Sequence, residues 1–241
     1  NLLLVALHVV IILFTAYHEG YLPLISRLFW ASLITGFIIC GWLAFIVSTR
    51  RLLSLLLAIF VIEYIKETIG LRSKLWTYNG LNGFYNFGVW AWVLGGLITY
   101  CLATQVVIRL IRKWTWGLGH RGGRVQGAAF KNPHASSHIP RWVNPLILIG
   151  IFLTIPFTLG SYWDSIGALF WIFYLLILII GVYVAGRMDF HVFAGTVIIA
   201  WIIGNPSEYL GSVSSGIWSF THNPNYPPFF LLFACWPLEI L

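Results

Sequence analysis

The sequence predicts an all-α membrane protein of about eight transmembrane helices in two parallel four-helix repeats. Three observations predict it. The chain is 59% hydrophobic and only 9% charged, a composition that cannot cover a water-facing surface. Apolar runs near the length of a membrane span recur from end to end. A Glu-Tyr pair followed by a Trp-bearing segment occurs twice, as Glu63-Tyr64 with Trp76-Thr77-Tyr78 and as Glu208-Tyr209 with Trp218-Ser219-Phe220.

The first run, 2–17, ends at the polar group His18-Glu19. The second, 28–47, stops at Ser48-Thr49-Arg50-Arg51, where two cations mark a membrane edge. The third, 52–64, and the seventh, 190–203, are short, which suits helices that end early at a polar cavity. The fourth, 84–111, runs into a basic stretch. The fifth, 143–160, and the sixth, 166–185, are separated by the polar break Ser161-Tyr162-Trp163-Asp164-Ser165. The eighth is 228–241. Residues 1–113 and 143–241 then form the two repeats, and 114–142 is a solvated loop rich in Gly and basic residues, with His120, His134 and His138.

Cytoplasmic loops favour Lys and Arg. Arg50, Arg51, the cluster from Arg109 to Arg141, and Arg187 therefore place both termini and the 114–142 loop in the cytoplasm. Arg27, Lys66, Arg72 and Lys74 fall on the opposite side, with the segments after Glu63 and Glu208. The net charge of +7 is explained by these loops, so no nucleic-acid partner is expected.

Seven acidic residues are few enough to weigh singly. Glu63 and Glu208 lead, because a carboxyl among apolar groups and aromatic rings can hold and deliver a proton. Glu239, in Trp236-Pro237-Leu238-Glu239, is the third catalytic candidate. Trp76, Tyr78, Trp218, Phe220, Tyr64 and Tyr209 are the candidate substrate-binding rings, whose negative faces suit a cationic intermediate. Glu67 reads as a solvated loop residue and Glu19 as the rim of a cavity. Asp164 reads as a turn or cap, and Asp189 as a cap or a local ion-pair partner. No metal site is expected: the loop histidines lack accompanying Cys, and Cys40, Cys101 and Cys235 stand singly in apolar runs.

The run Glu208-Tyr209-Leu210-Gly211, then Gly216-Ile217-Trp218-Ser219-Phe220, then Trp236-Pro237-Leu238-Glu239 resembles the membrane lycopene cyclase domain. Its repeats carry an acidic residue, a Gly-x-Trp-x-aromatic segment and a Pro-x-Glu-Glu. The related carotenoid hydratases and, more distantly, the fungal membrane terpene cyclases share the theme. The chain departs from the pattern in having Ile240 after Glu239 and no Pro-x-Glu near Val89-Trp90-Ala91-Trp92. The resemblance implies proton-initiated cyclisation or hydration of a polyisoprenoid or carotenoid, without cofactors. Two other classes stay open: an accessory subunit of a larger membrane complex that binds lipid or pigment, and a small-molecule transporter.

Overall fold

The computed structural model describes residues 1–107, 109–110, 139–223 and 226–240. Helices α1 (Leu2–His18), α2 (Arg27–Ile46), α3 (Thr49–Arg72) and α4 (Asn86–Cys101) come first, and α4 continues as a π-helical segment, Leu102–Val107. Then follow α5 (Val143–Thr158), a 3-10 turn (Gly160–Ser165), α6 (Ala168–Ala185) and α7 (Phe190–Tyr209). A π-helical turn, Leu210–Ser214, extends α7, and another, Leu231–Cys235, leads into α8 (Trp236–Ile240). Strands β1 (Trp76–Tyr78) and β2 (Trp218–Phe220) are short. Apart from 139–142, the expected loop 114–142 lies outside the described residues.

Local chemistry sets the helix starts. Ser26 accepts from the Phe29 N–H at 3.2 Å and Ser48 from the Arg51 N–H at 3.4 Å, each satisfying a first-turn donor. The buried Glu19 does the same for a helix distant in sequence. It accepts from the Phe87 N–H at 2.9 Å and from Asn86 Nδ2 at 2.7 Å, capping α4 from the end of α1. Glu19 is thus a cap inside the protein, not a cavity rim.

Helix α4 packs on α1, α2 and α3, and α5 packs on α6. The two groups meet where α4 touches α7, α3 touches α6, and α6 and α7 both touch α8. Leu175, Leu176, Ile179 and Ile180 of α6 and Leu53, Leu57 and Val61 of α3 face outward, and hydrocarbon is the solvent that suits such a surface. Among the described residues, Arg27–Ile46, Ala168–Ala185 and Phe190–Ser214 are long and apolar enough to cross a membrane. Leu2–His18, Val143–Thr158 and Leu231–Ile240 are shorter apolar helices.

Two helices run further than their apolar runs. Helix α3 continues past Tyr64 to Arg72, and α7 continues past Ile203 and through Pro206 to Tyr209. The buried polar residues among those added lie on one face each, which an apolar-run criterion cannot register. Glu63, Lys66, Glu67 and Gly70 have the i, i+3, i+4, i+7 spacing of a single helix face, and all are buried. Gly204, Glu208, Gly211 and Ser212 form the matching buried face on α7 and its π turn. Lys66 and Glu67 are therefore interior groups, not loop residues. Asp164 lies in the 3-10 turn. Asp189 precedes α7 without a side-chain capping bond and pairs instead with Arg141 at 2.9 Å.

The Glu19 cap gives a direct expectation. Glu19→Ala strands two donors at the α4 N-terminus, at a cost of about 2 kcal/mol, or roughly 4–8 °C of melting temperature for a domain of this size. Glu19→Gln, which keeps an acceptor, retains most of the stability. Thermal melts in detergent check this, and an unchanged melt for the Ala variant contradicts the cap.

Candidate active site

The interior polar groups converge on the Lys66 ammonium. Its Nζ lies 2.5 Å from Glu63 Oε2 and 3.3 Å from Glu239 Oε2, and all three side chains are under 10% exposed. Glu239 Oε1 accepts from the Tyr174 hydroxyl at 2.5 Å. Two indoles flank the cation, Trp92 at 5.0 Å and Trp236 at 5.4 Å from Nζ to ring centre. Desolvated ammonium over an indole face is the favourable case of cation–π attraction.

Two further carboxyls sit beside this group, each held by an indole N–H. Trp76 Nε1 donates to Glu67 at 2.8 Å and Trp218 Nε1 donates to Glu208 at 3.2 Å. The indoles reach their carboxyls because a glycine lies three residues after each Glu. A Cβ at Gly70 would overlap the Trp76 ring, and one at Gly211 would overlap the Trp218 ring. The strands fix the rings from the other side. β1 and β2 pair antiparallel in the register Trp76 with Phe220, Thr77 with Ser219, and Tyr78 with Trp218. Burial first, and then the Glu67 carboxyl, hold the Tyr78 hydroxyl well above the ordinary phenol value, so it stays protonated.

Glu208 thus matches Glu67, and not Glu63 as the shared Glu-Tyr suggests. The signal present in the sequence is Glu-x-x-Gly followed by Trp-x-aromatic, in Glu67-x-x-Gly70 with Trp76-x-Tyr78 and in Glu208-x-x-Gly211 with Trp218-x-Phe220. Four residues before Glu208 stands Gly204, packed under the Trp236 ring, so Glu63 has no acidic counterpart there. π-helical turns adjoin both second-half carboxyls, one directly after Tyr209 and one directly before Trp236. Such turns re-aim side chains and recur at functional sites.

Trp76, Tyr78, Trp218 and Phe220 surround a chamber shared with Lys66, Glu67, Trp92 and Glu208, of only about 10 Å³. That is close to the space of one water molecule, so these rings do not wall a substrate-sized cavity. A larger cavity of about 220 Å³ lies beside Glu63 and Glu239. Glu63 and Glu208 therefore border different spaces, linked through Lys66. Tyr64 and Tyr209 are 44% and 51% exposed; Tyr64 stacks on Phe60, and neither tyrosine lines the chamber or the cavity. Lys66, Glu67, Tyr174, Trp92 and Trp236 join the site without having been singled out as site residues from sequence.

Among the described residues no group of three or more His, Cys, Asp or Glu side chains is arranged to hold a metal ion. His8 is buried against the Trp90 carbonyl oxygen, 3.0 Å from Nε2, and Cys40, Cys101 and Cys235 are buried and unbridged. No family model, curated protein or solved structure matches the chain.

Removing the one cation from this cluster leaves buried carboxylates uncompensated. Lys66→Met is expected to cost about 3–5 kcal/mol. Adding Glu63→Gln and Glu239→Gln to Lys66→Met should recover most of that loss, a non-additivity that comes from direct contact. Thermal melts of the variants measure it; losses that simply add contradict the ion-pair account.

Proposed function

We propose that this protein is an integral membrane enzyme that acts on a polyisoprenoid or carotenoid by proton-initiated cyclisation or hydration. One observation carries the reading: four carboxyls and one ammonium, walled by indoles, are buried at the side of an apolar cavity. Four carboxylates around one cation in an apolar interior would leave unbalanced charge at heavy cost. The cluster therefore holds exchangeable protons, the reagent an alkene needs.

In this reading Glu63 and Glu239 face the substrate, and one of them adds a proton to a terminal carbon of a double bond. The π electrons form the new C–H bond and leave a tertiary carbocation. The face of Trp236, which also lines the cavity, stabilises that charge. In cyclisation a second double bond attacks the cation, and a neighbouring carbon gives its proton back to a carboxylate. In hydration a water adds and yields a proton to a carboxylate, and the water-sized chamber at Glu67 and Glu208 suits its storage. Electrons are only rearranged, so no redox cofactor is called for. The resemblance to membrane lycopene cyclases and carotenoid hydratases supports this reading, as does the repetition of the Glu–Gly–Trp unit.

The fuller architecture belongs to the same proposal: about eight spans in two parallel repeats, with both termini and the 114–142 loop cytoplasmic. The strand register favours the repeat. Exchanging the Trp-Thr-Tyr and Trp-Ser-Phe segments maps every pair onto its equivalent, with a two-fold axis passing between Thr77 and Ser219.

The test is conversion in bacteria that accumulate a linear polyene, followed by extraction and chromatography with mass detection. The intact protein should yield either an isomer of unchanged mass or a product heavier by one water. Glu239→Gln and Glu208→Gln should each lower conversion at least ~100-fold, while the outward-facing Tyr209→Phe leaves it unchanged. Full conversion by both Gln variants, or no conversion of any linear polyene by the intact protein, contradicts the proposal.

A further inference from the structure

The cavity beside Glu63 and Glu239 belongs to none of the rings singled out from sequence. Its walls come from Ile59 and Ile62 of α3, Gly96 and Tyr100 of α4, and Val184 and the nearby Met188 at the end of α6. Ile59, Ile62 and Val184 are only partly covered and lie on helices whose outer faces are apolar, so the cavity meets the lipid-facing surface. Its volume is about 220 Å³. It falls below the ~300–1,000 Å³ of sites that enclose a whole small molecule. A space of that size admits one end of a long molecule.

The lining chemistry says which end. Among the described residues no basic side chain lines the cavity; Lys66 is engaged by Glu63 and Glu239, and the exposed Arg51 lies over the Tyr100 ring, 5.6 Å from its centre. The Thr196 hydroxyl, also in the wall, donates to the Val192 carbonyl. A phosphate head would meet two carboxyls and no basic residue in the wall, whereas hydrocarbon finds aliphatic walls and an indole. Resting on the catalytic reading above, we propose that this cavity binds the unsaturated terminus of a linear polyisoprenoid entering from the lipid. In this arrangement Gly96 and Val184 set how much of the chain is admitted. Gly96 is the narrow point: a Cβ there would come within 2.8 Å of Ile59 Cγ2, so a larger side chain displaces Ile59 and fills the space. Val184 lies at the partly exposed rim, where a bulkier residue obstructs entry with little disturbance of the core.

The experiment uses the full chain in lipid nanodiscs and, as probe, a linear polyene hydrocarbon with a diazirine at one terminus. Irradiation and peptide mapping should place adducts within 55–63 and 96–103. Gly96→Leu should lower that labelling about tenfold, the scale of a misfit in an apolar pocket, and Val184→Phe should do the same if Gly96→Leu fails to fold. A saturated hydrocarbon of equal length should compete poorly against the probe, because it offers no π electrons to the carboxyl side. Labelling spread over outward residues such as Phe157 and Leu175, or unaffected by both variants, overturns the inference. Equal competition by the saturated chain also overturns it, making this an acyl-chain site. Cavity labelling without conversion of any polyene supports the inference and removes the catalytic reading. Undiminished conversion by Gly96→Leu and Val184→Phe leaves catalysis standing and overturns this site.

Discussion

A lysine ammonium buried among apolar helices must be surrounded by compensating charge, and much of the interior answers that demand. Lys66 takes Glu63 from its own helix, one turn away, and Glu239 from the far end of the chain. Its remaining surroundings are the faces of Trp92 and Trp236. Because an isolated buried charge costs far more than a paired one, the C-terminal helix cannot leave the α3 face without exposing both partners to that cost. The ion pair therefore joins α3 to the short α8 and fixes where the carboxyls stand.

Around it, backbone geometry does what side-chain packing alone could not. Gly70 and Gly211 let two indoles lie flat against helices, and the β1–β2 pair presents those indoles from one short clasp. The result is a pair of Glu–Trp units facing one another across a space of about one water, with the lysine between this chamber and the apolar cavity. In the proposed reaction, protonation of an alkene and capture of the cation would use these neighbouring groups, a proton donor beside hydrocarbon and a polar recess behind it.

The helical, apolar character, with three helices among the described residues long enough to cross a membrane, was legible because it rests on composition and run length, which tertiary contacts rarely reverse. The acidic residues Glu208 and Glu239, and the Trp-x-aromatic segments, were legible as chemistry out of place in an apolar context. What was not legible followed from one-sided burial. Lys66 and Glu67 look like loop residues in a linear reading because hydropathy averages over all faces, and only the 63, 66, 67, 70 spacing shows that they share one. The pairing of Glu63 with Glu208 followed a repeated Tyr, yet both tyrosines face outward and carry no positional information about the interior. The glycine three residues after Glu67 and Glu208 was the better guide, since it reports the close approach of a ring. Strand pairing between segments 142 residues apart leaves no local signature in three-residue strands.

The two Glu–Trp units meet face to face through that clasp. Thr77 Oγ1 and Ser219 Oγ lie 3.2 Å apart at its centre, and directly opposed strand positions suit a disulfide. The direct measurement places Cys at both positions in a chain whose Cys40, Cys101 and Cys235 are replaced by Ala, with a protease site in the 114–142 loop. After oxidation in membranes and cleavage, the two halves should migrate together without reductant and separate with it, while a Tyr64→Cys, Tyr209→Cys control separates in both. Halves that separate under oxidising conditions, or that join equally in the control, contradict the clasp and the site built on it.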